Sequence, residues 1–404
     1  MAKEKIGIIG GTFDPIHQGH IRMAVSAIQE ASLDRVLVIP SGNPPHKECY
    51  ADPESRWHMV VAACSQDTRL QPCRIELDRE GPTYTIDTLN ALKAEYPKAE
   101  FSFIIGIDQL MNLDQWKQVR VLFHMCDFLV CPRATDIRPS QFRAQMDRLT
   151  AMGARLTMIH MVPVTVSSTD LRDALACGNP TPQLYVSVRE YCHCKGLYGM
   201  DRRIPEAAEW VSRLFADLTP HRFSHTLSVA HTARRLARLH GLDPDKAETA
   251  GLLHDCAKCM PLKDMQLIAR THSLTTDPEV LSSGSLLHSL AGAWVARNTY
   301  GMADPEVLQA ITFHSTGRAG MNLLDMCIYL ADSIEPTRQS YPDLDQIRML
   351  ADLSLPKAML VSLQRTVDYV RSRGKYLHPA TLSTLAWLKT NPVIQPSAVM
   401  TENR

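Results

Sequence analysis

The chain has 404 residues, 45% of them hydrophobic, with 43 Lys+Arg against 43 Asp+Glu and a formal net charge of zero. That length suggests two or three domains, and the balanced charge gives no electrostatic basis for binding nucleic acid or an acidic membrane. There is no long apolar leader with a cleavage site and no uninterrupted apolar run able to span a bilayer, so the eleven cysteines are expected to be reduced thiols of a cytoplasmic protein.

Taken in chain order, residues 5–9, 35–39, 101–105, 128–131 and 157–161 are short apolar runs that read as strands. Helical spacing at 21–31, 55–65 and 85–95 falls between them. The alternation predicts an α/β domain with a Rossmann-like parallel sheet, whose ligands sit at the carboxyl ends of the strands. Past Gly196, Gly199 and Pro205 the strand signals fade, and Leu227, Ala230, Ala233 and Ala237 recur at helical spacing. Helices are expected at 247–258, 286–298, 305–313, 323–334 and 357–372, giving an all-α bundle. The expected limits are a first domain at 1–199, a linker at 200–204, a second domain at 205–390 and a tail at 391–404.

The first strand runs into Gly10-Gly11-Thr12-Phe13-Asp14-Pro15-Ile16-His17-Gln18-Gly19-His20. Gly10 and Gly11 are expected to turn the backbone sharply and let it approach a phosphate. The next helix is expected to begin near 18–19, with its positive end facing the same loop. His17 and His20, three apart, are expected on one helical face, where they can hydrogen-bond charge that develops during in-line displacement.

This pattern resembles the nucleotidyltransferase superfamily with the His-x-Gly-His motif, and within it the bacterial nicotinate-mononucleotide adenylyltransferases. Further segments carry the resemblance: Gly42 to Lys47, Glu76 through Arg79 to Leu89, Gly106-Ile107-Asp108 with Trp116, and Val166 to Arg172. The resemblance covers residues 4–198 and implies catalytic His17 and His20. It implies ATP binding by Gly10, Gly11, Thr12, Phe13, His17, His20, Gly106, Asp108, Ser167, Ser168, Thr169 and Arg172. It also implies acceptor binding by Asn43, Lys47, Thr83, Tyr84, Thr85, Trp116 and Arg133, with Mg²⁺ arriving on the ATP phosphates. Ser168 or Thr169 could cap the helix that follows, and Trp116 offers a flat face to a pyridine ring, though a core role for Trp116 and a solvated role for Lys47 stay open. The implied reaction joins AMP from ATP to nicotinate mononucleotide. Another mononucleotide or a pantetheine phosphate remains an alternative acceptor.

In the second half, His225, the adjacent His254-Asp255, His288, His314 and Asp332 supply imidazole and carboxylate ligands enough for a dinuclear centre that activates water and clamps a phosphate. The set resembles the histidine–aspartate (HD) metal phosphohydrolases. The flanking residues 254–258, 314–317 and 331–338 resemble the symmetrical diadenosine-tetraphosphate hydrolases of that superfamily. This resemblance covers residues 205–385 and implies a dinuclear iron centre, or manganese or another divalent metal, held by those six residues. It makes Lys258 a catalytic candidate and Arg338 a substrate contact. Another nucleotidase or phosphodiesterase, or a nucleotide sensor without turnover, is the alternative. Cys256 with Cys259 and Cys192 with Cys194 lack a second ligand pair at suitable spacing, so they read as thiols rather than a zinc site. The remaining histidines, including His58, His124, His160, His221, His231, His240 and His272, read as structural or surface residues. The expected partners are small nucleotides (ATP, nicotinate mononucleotide and diadenosine tetraphosphate), and a homo-oligomer is left open.

Overall fold

The computed structural model describes residues 3–44, 48–132, 137–162 and 165–390. Lys47 and Arg133, both singled out above, lie outside the described residues. The chain divides into two compact units, Met1–Asp201 and Arg202–Arg404.

In the first unit the elements run β1 (Lys5–Gly11), α1 (Gln18–Glu30), β2 (Arg35–Pro40), α2 (Pro53–Cys64), β3 (Leu70–Pro72), α3 (Thr85–Glu95) and β4 (Glu100–Gly106). They continue through α4 (Ile107–Leu110), α5 (Val119–Met125), β5 (Asp127–Cys131), α6 (Pro139–Ala151), β6 (Leu156–Met158), α7 (Ser168–Ala176) and α8 (Val186–Lys195). The strands form one parallel sheet in the order β3-β2-β1-β4-β5-β6. Ile8 on β1 pairs with Leu37 on one side and Phe103 on the other, and all three belong to the buried core. The chain leaves β1 for β2 on one side and later returns to β4 on the other. A crevice therefore opens between the carboxyl ends of β1 and β4, where such sheets bind ligands. The strand expected at 157–161 is the shorter β6, and β3, three residues long, carried no periodic signal.

The second unit is helical: α9 (Ala207–Asp217), α10 (Pro220–Leu239), α11 (Pro244–Leu253), α12 (Leu262–Thr271), α13 (Pro278–Ser282), α14 (Gly284–Asn298), α15 (Pro305–Phe313), α16 (Leu323–Ile334), α17 (Leu344–Leu353), α18 (Leu355–Ser372) and α19 (Pro379–Thr390). Asp243, Asp277 and Asp304 cap the starts of α11, α13 and α15, each followed by proline at the first helical position. α10 and α11 pack backbone against backbone, since a Cβ on Gly251 would lie 2.7 Å from the Ala230 Cα. The helix expected at 247–258 ends at Leu253. There the Nδ1 of His254 takes up the Gly251 carbonyl, and short turns carry the chain through Asp255 to Lys258. Among the described residues, no helix is long and apolar enough to cross a membrane.

Candidate active sites

The first site fills the crevice between β1 and β4, a cavity of about 460 Å³. Gly10, Gly11 and Thr12 line it from β1, and Gly106 and Asp108 from the end of β4. His20, Glu76, Thr83, Thr85, Trp116, Ser167, Ser168 and Thr169 also line it. Gly10 and Gly11 do not turn the chain. They finish β1, paired with Ile39 and Pro40, and the positive φ falls on Phe13 at 49°. Phe13 is buried beneath the loop, and a Cβ on Gly11 would stand 3.2 Å from its ring.

His17 is the N-cap of α1 rather than part of its helical face. Its Nδ1 accepts from the Gly19 N–H at 3.1 Å, while the His20 Nδ1 accepts from the His17 N–H at 3.3 Å. The rings stack with centroids 3.7 Å apart. A ring nitrogen that accepts carries no proton, so each neutral ring keeps its proton on Nε2 as a donor.

Ser167, not Ser168 or Thr169, caps α7 by accepting from the Asp170 N–H, and Ser168 donates to the Pro15 carbonyl. Arg172 lies outside the cavity lining. It donates to the Asp14 carbonyl and to Thr169, and stacks over Tyr50. Asn43 lines a neighbouring surface depression, and Tyr84 precedes α3 under the Lys117 ammonium. Trp116 meets Phe103 edge-on and faces the same cavity as Thr83 and Thr85.

Arg56 was not singled out by the sequence, and Asp14 and Glu76 entered it only as members of longer segments. The buried Asp14 carboxylate accepts from the backbone of Tyr50 and Ala51 and from the Tyr198 hydroxyl. The Arg56 guanidinium donates to the carbonyls of Thr12, Ser41 and Gly42. Burial raises the Glu76 carboxyl above its usual range, against hydrogen bonds from Thr88 and Thr83. A Cβ on Gly42 would fall 2.1 Å from the Glu76 carbonyl, so only glycine fits there. Their signal was weak because a lone charged residue, in a loop as for Asp14 and Glu76 or on α2 as for Arg56, looks like solvated surface.

The second site brings together all six residues singled out as ligands. His225 comes from α10, His254 and Asp255 from the turn after α11, His288 from α14, His314 from the end of α15 and Asp332 from α16. Asp255 is central. Its Oδ1 lies 3.1 Å from His288 Nε2 and 3.6 Å from His314 Nε2, and its Oδ2 lies 3.6 Å from His254 Nε2 and 4.0 Å from His225 Nε2. Asp332 Oδ1 lies 3.0 Å from His225 Nε2. Two overlapping clusters result, His225–His254–Asp332 and His254–Asp255–His314, each with donor atoms within 4.8 Å of one another.

The imidazole tautomers fit a cation. His254 and His314 each direct Nδ1 at a backbone carbonyl at 2.7 Å, Gly251 and Ile311 respectively. A carbonyl only accepts, so Nδ1 holds the proton and Nε2 presents a lone pair. His225 directs Nδ1 at the Glu335 carboxylate. The His254 Nε2 is fully buried with no hydrogen-bond partner among the described residues. The His288 and His314 Nε2 atoms lie 3.0 Å apart. Burial lowers His254 and His288 to about 4, which keeps them neutral at pH 7. Burial would raise the Asp255 carboxyl, but His254, His288, His314 and Lys258 outweigh it and hold the group well below the usual range. Asp332 is likewise held well below that range, by His225 and Arg338 against burial. Imidazoles, two of them held neutral by burial, and ionised carboxylates converging on one focus form a divalent-metal donor set.

Cations ring this focus. Arg222 donates to Asp255 Oδ2 at 3.1 Å, Arg338 holds Asp332, and Lys258 Nζ lies 3.1 Å from His288 Nε2. Burial lowers the Lys258 ammonium below its ordinary value. Arg222 and Glu335 were missed in the sequence, although each lies three residues from a ligand, because neither spacing distinguishes a second layer of contacts from exposed charge. His221 is exposed, as expected, and also borders a cavity beside His225 and Arg338.

Comparison with known proteins fits this division. The cytidylyltransferase-like family matches residues 8–174, and the HD-domain family matches residues 222–337. A Mycoplasma genitalium protein named as a probable nicotinate-nucleotide adenylyltransferase/Ap4A hydrolase is 28% identical over 376 residues, covering 91% of this chain and 99% of its own length. A probable nicotinate-nucleotide adenylyltransferase of Shewanella woodyi is 36% identical, covering 48% of this chain and 99% of the relative. A symmetrical bis(5'-nucleosyl)-tetraphosphatase of Halalkalibacterium halodurans is 40% identical, covering 41% of this chain and 88% of the relative. The chain therefore belongs, in its first half, to the nicotinate-nucleotide adenylyltransferase family and, in its second half, to the HD-domain family of symmetrical bis(5'-nucleosyl)-tetraphosphatases.

Proposed function

We propose that this is a bifunctional cytoplasmic enzyme, with a transferase domain at 1–199, a linker at 200–204, a hydrolase domain at 205–390 and a tail at 391–404. The first domain transfers AMP from MgATP to nicotinate mononucleotide, giving deamido-NAD and pyrophosphate. The second cleaves diadenosine tetraphosphate symmetrically into two ADP.

The stacked His17–His20 pair, in which His20 lines the cavity and the buried His17 packs against it, carries the first reading. A mononucleotide phosphate oxygen attacks the α-phosphorus of ATP, and the bond to the bridging oxygen of pyrophosphate breaks. The Nε2–H groups of His17 and His20 stabilise the charge that accumulates on the phosphates, a contribution that needs no covalent intermediate. Gly10, Gly11, Thr12, Gly106 and Asp108 receive ATP over Phe13. The start of α7, with Ser167, Ser168, Thr169 and Arg172, receives its phosphates. Thr83, Tyr84, Thr85 and Trp116 hold the nicotinate ring, and Asn43, Lys47 and Arg133 the rest of the mononucleotide. Parallel assays with nicotinate mononucleotide, its amide and a pantetheine phosphate test this. A preference for either of the other two acceptors refutes the nicotinate assignment.

Asp255, bracketed by imidazoles on both carboxylate oxygens, carries the second reading. His225, His254, Asp255, His288, His314 and Asp332 would hold a dinuclear iron centre. Such a centre supplies activated water and neutralises phosphate charge. Lys258, Arg338 and Arg222 add positive charge where the phosphates enter. Iron-loaded, reduced full-length protein given diadenosine tetraphosphate should yield two ADP. AMP plus ATP would overturn the cleavage position, and no turnover would overturn the substrate.

A further inference from the structure

A cavity of about 610 Å³ opens beside the hydrolase metal ligands, with His225 and Arg338 in its wall. One side is built by α18, which turns Ser362, Arg365, Thr366 and Tyr369 toward it. Those positions are i, i+3, i+4 and i+7, one face of a helix. In a helical bundle such a face normally carries aliphatic residues packed into the core. Here it carries hydroxyls, a guanidinium and a phenol, and it borders open space. Arg365 is fixed in place: its Nε donates to the Pro342 carbonyl at 2.8 Å, and its guanidinium carbon lies over Tyr341, 3.8 Å from the ring centroid. Tyr341 is itself tied down by its hydroxyl, which donates to the Ser333 carbonyl. Tyr369 is 50% exposed.

We propose that this cavity is the base-binding subsite for one nucleoside of the hydrolase substrate. A purine stacks on the Arg365–Tyr341 pair and against Tyr369, and its phosphates run past Arg338 to the metal ligands. The chemistry favours this occupant. An anchored guanidinium and the exposed Tyr369 ring present stacking surfaces to a flat heterocycle. The Thr366 hydroxyl donates to the Ser362 carbonyl, so its oxygen remains to accept from a base amino group. Arg338, held against Asp332, sets a positive charge for the polyphosphate. Glu335, the acidic residue in the wall, is engaged by His225 and Thr337. The volume exceeds what a single ordered anion needs and suits a nucleoside.

The proposal rests on the hydrolase reading, and the test separates the two. In metal-loaded full-length protein, the KM for diadenosine tetraphosphate is measured, together with inhibition of its hydrolysis by ADP and by inorganic tripolyphosphate. The wild type is compared with Arg365→Ala, Tyr369→Ala and Tyr369→Phe. Loss of one stacking partner should raise KM and the ADP inhibition constant about tenfold. Tripolyphosphate, which has no base, should inhibit both alanine variants as it inhibits wild type, which also shows that the variants are folded. Tyr369→Phe should retain most of the wild-type affinity. Hydrogen-exchange mass spectrometry with ADP should show protection of 333–341 and 362–369 in wild type, reduced in both alanine variants. Unchanged ADP inhibition in those variants, equal losses for ADP and tripolyphosphate, or no protection of these segments overturns the subsite. Protection without hydrolysis of any dinucleoside polyphosphate supports the subsite and overturns the hydrolase reading instead.

Discussion

The Nδ1 of His225 lies 3.1 Å from the Oε1 of Glu335, whose side chain is 1% exposed. Glu335 is fixed in turn by the backbone N–H and hydroxyl of Thr337. A carboxylate behind a ligating imidazole fixes the ring orientation, keeps Nε2 toward the ion and increases its basicity. Glu335→Gln, whose amide can donate to Nδ1 and reverse the tautomer, should weaken metal binding about 10–100-fold. Competitive metal titration checks this without reference to turnover. Unchanged affinity would reduce Glu335 to a packing role.

Asp255→Asn keeps the shape of the central side chain and removes its charge. With four imidazoles, Arg222 and Lys258 left without that carboxylate, hydrolysis should fall by at least a hundredfold. Adenylyl transfer by the same preparation should be unchanged. Surviving hydrolysis would show that Asp255 is not a metal ligand.

His20→Ala should lower kcat of adenylyl transfer about 10²–10³-fold with a smaller change in KM, as expected for a donor that acts mainly in the transition state. His17→Ala should lower kcat similarly. It also removes the N-cap of α1, costing about 1 kcal/mol of stability. Thermal denaturation beside steady-state kinetics separates the two effects.

His58 gives the first domain a pH dependence away from its cavity. Its Nδ1 lies 3.0 Å from the buried Tyr191 hydroxyl, and burial lowers its pKa from 6.5 to about 4, outweighing the pull of Glu54. The unfolded chain takes up a proton below about pH 6.5 that the folded chain refuses until about pH 4. Stability from neutral His58 is therefore complete above pH 6.5 and is lost as pH falls toward 4. His58→Gln, which does not titrate, should flatten stability against pH in this window, measured by denaturant unfolding. A parallel slope in both proteins would show that other groups govern it.

Gly251→Ala places a methyl 2.7 Å from the Ala230 Cα and must push α10 from α11. The expected destabilisation is about 1–3 kcal/mol. Because these helices carry His225 and lead into His254, metal affinity should fall too. Calorimetry and metal titration read the two effects, and a neutral outcome in both would mean that the helices separate without strain.

Much of both sites was legible in one dimension. Gly10 to His20 form a continuous segment, so strand, loop and helix start could be read together, and the alternation of apolar runs required a parallel sheet. The six residues of the second site were legible because imidazole and carboxylate are the side chains that hold such metals, and their flanking residues resemble a known family. Sequence spacing alone could not show which atoms they offer. His225 and Asp332 are 107 positions apart, yet their donor atoms lie 3.0 Å from one another.

Local pattern, then, determined five of the six strands, several of the helices, the residue types at each site and the order in which the two domains follow one another. Tertiary structure decided the rest: Ser167 as the α7 cap, His17 as the α1 cap, Gly10 and Gly11 finishing a strand, and the tautomers set by Gly251, Ile311 and Glu335. The physical reason is that periodicity records which face of an element is buried, whereas a hydrogen bond or a ligand contact depends on distances between elements that are fixed only when the chain packs.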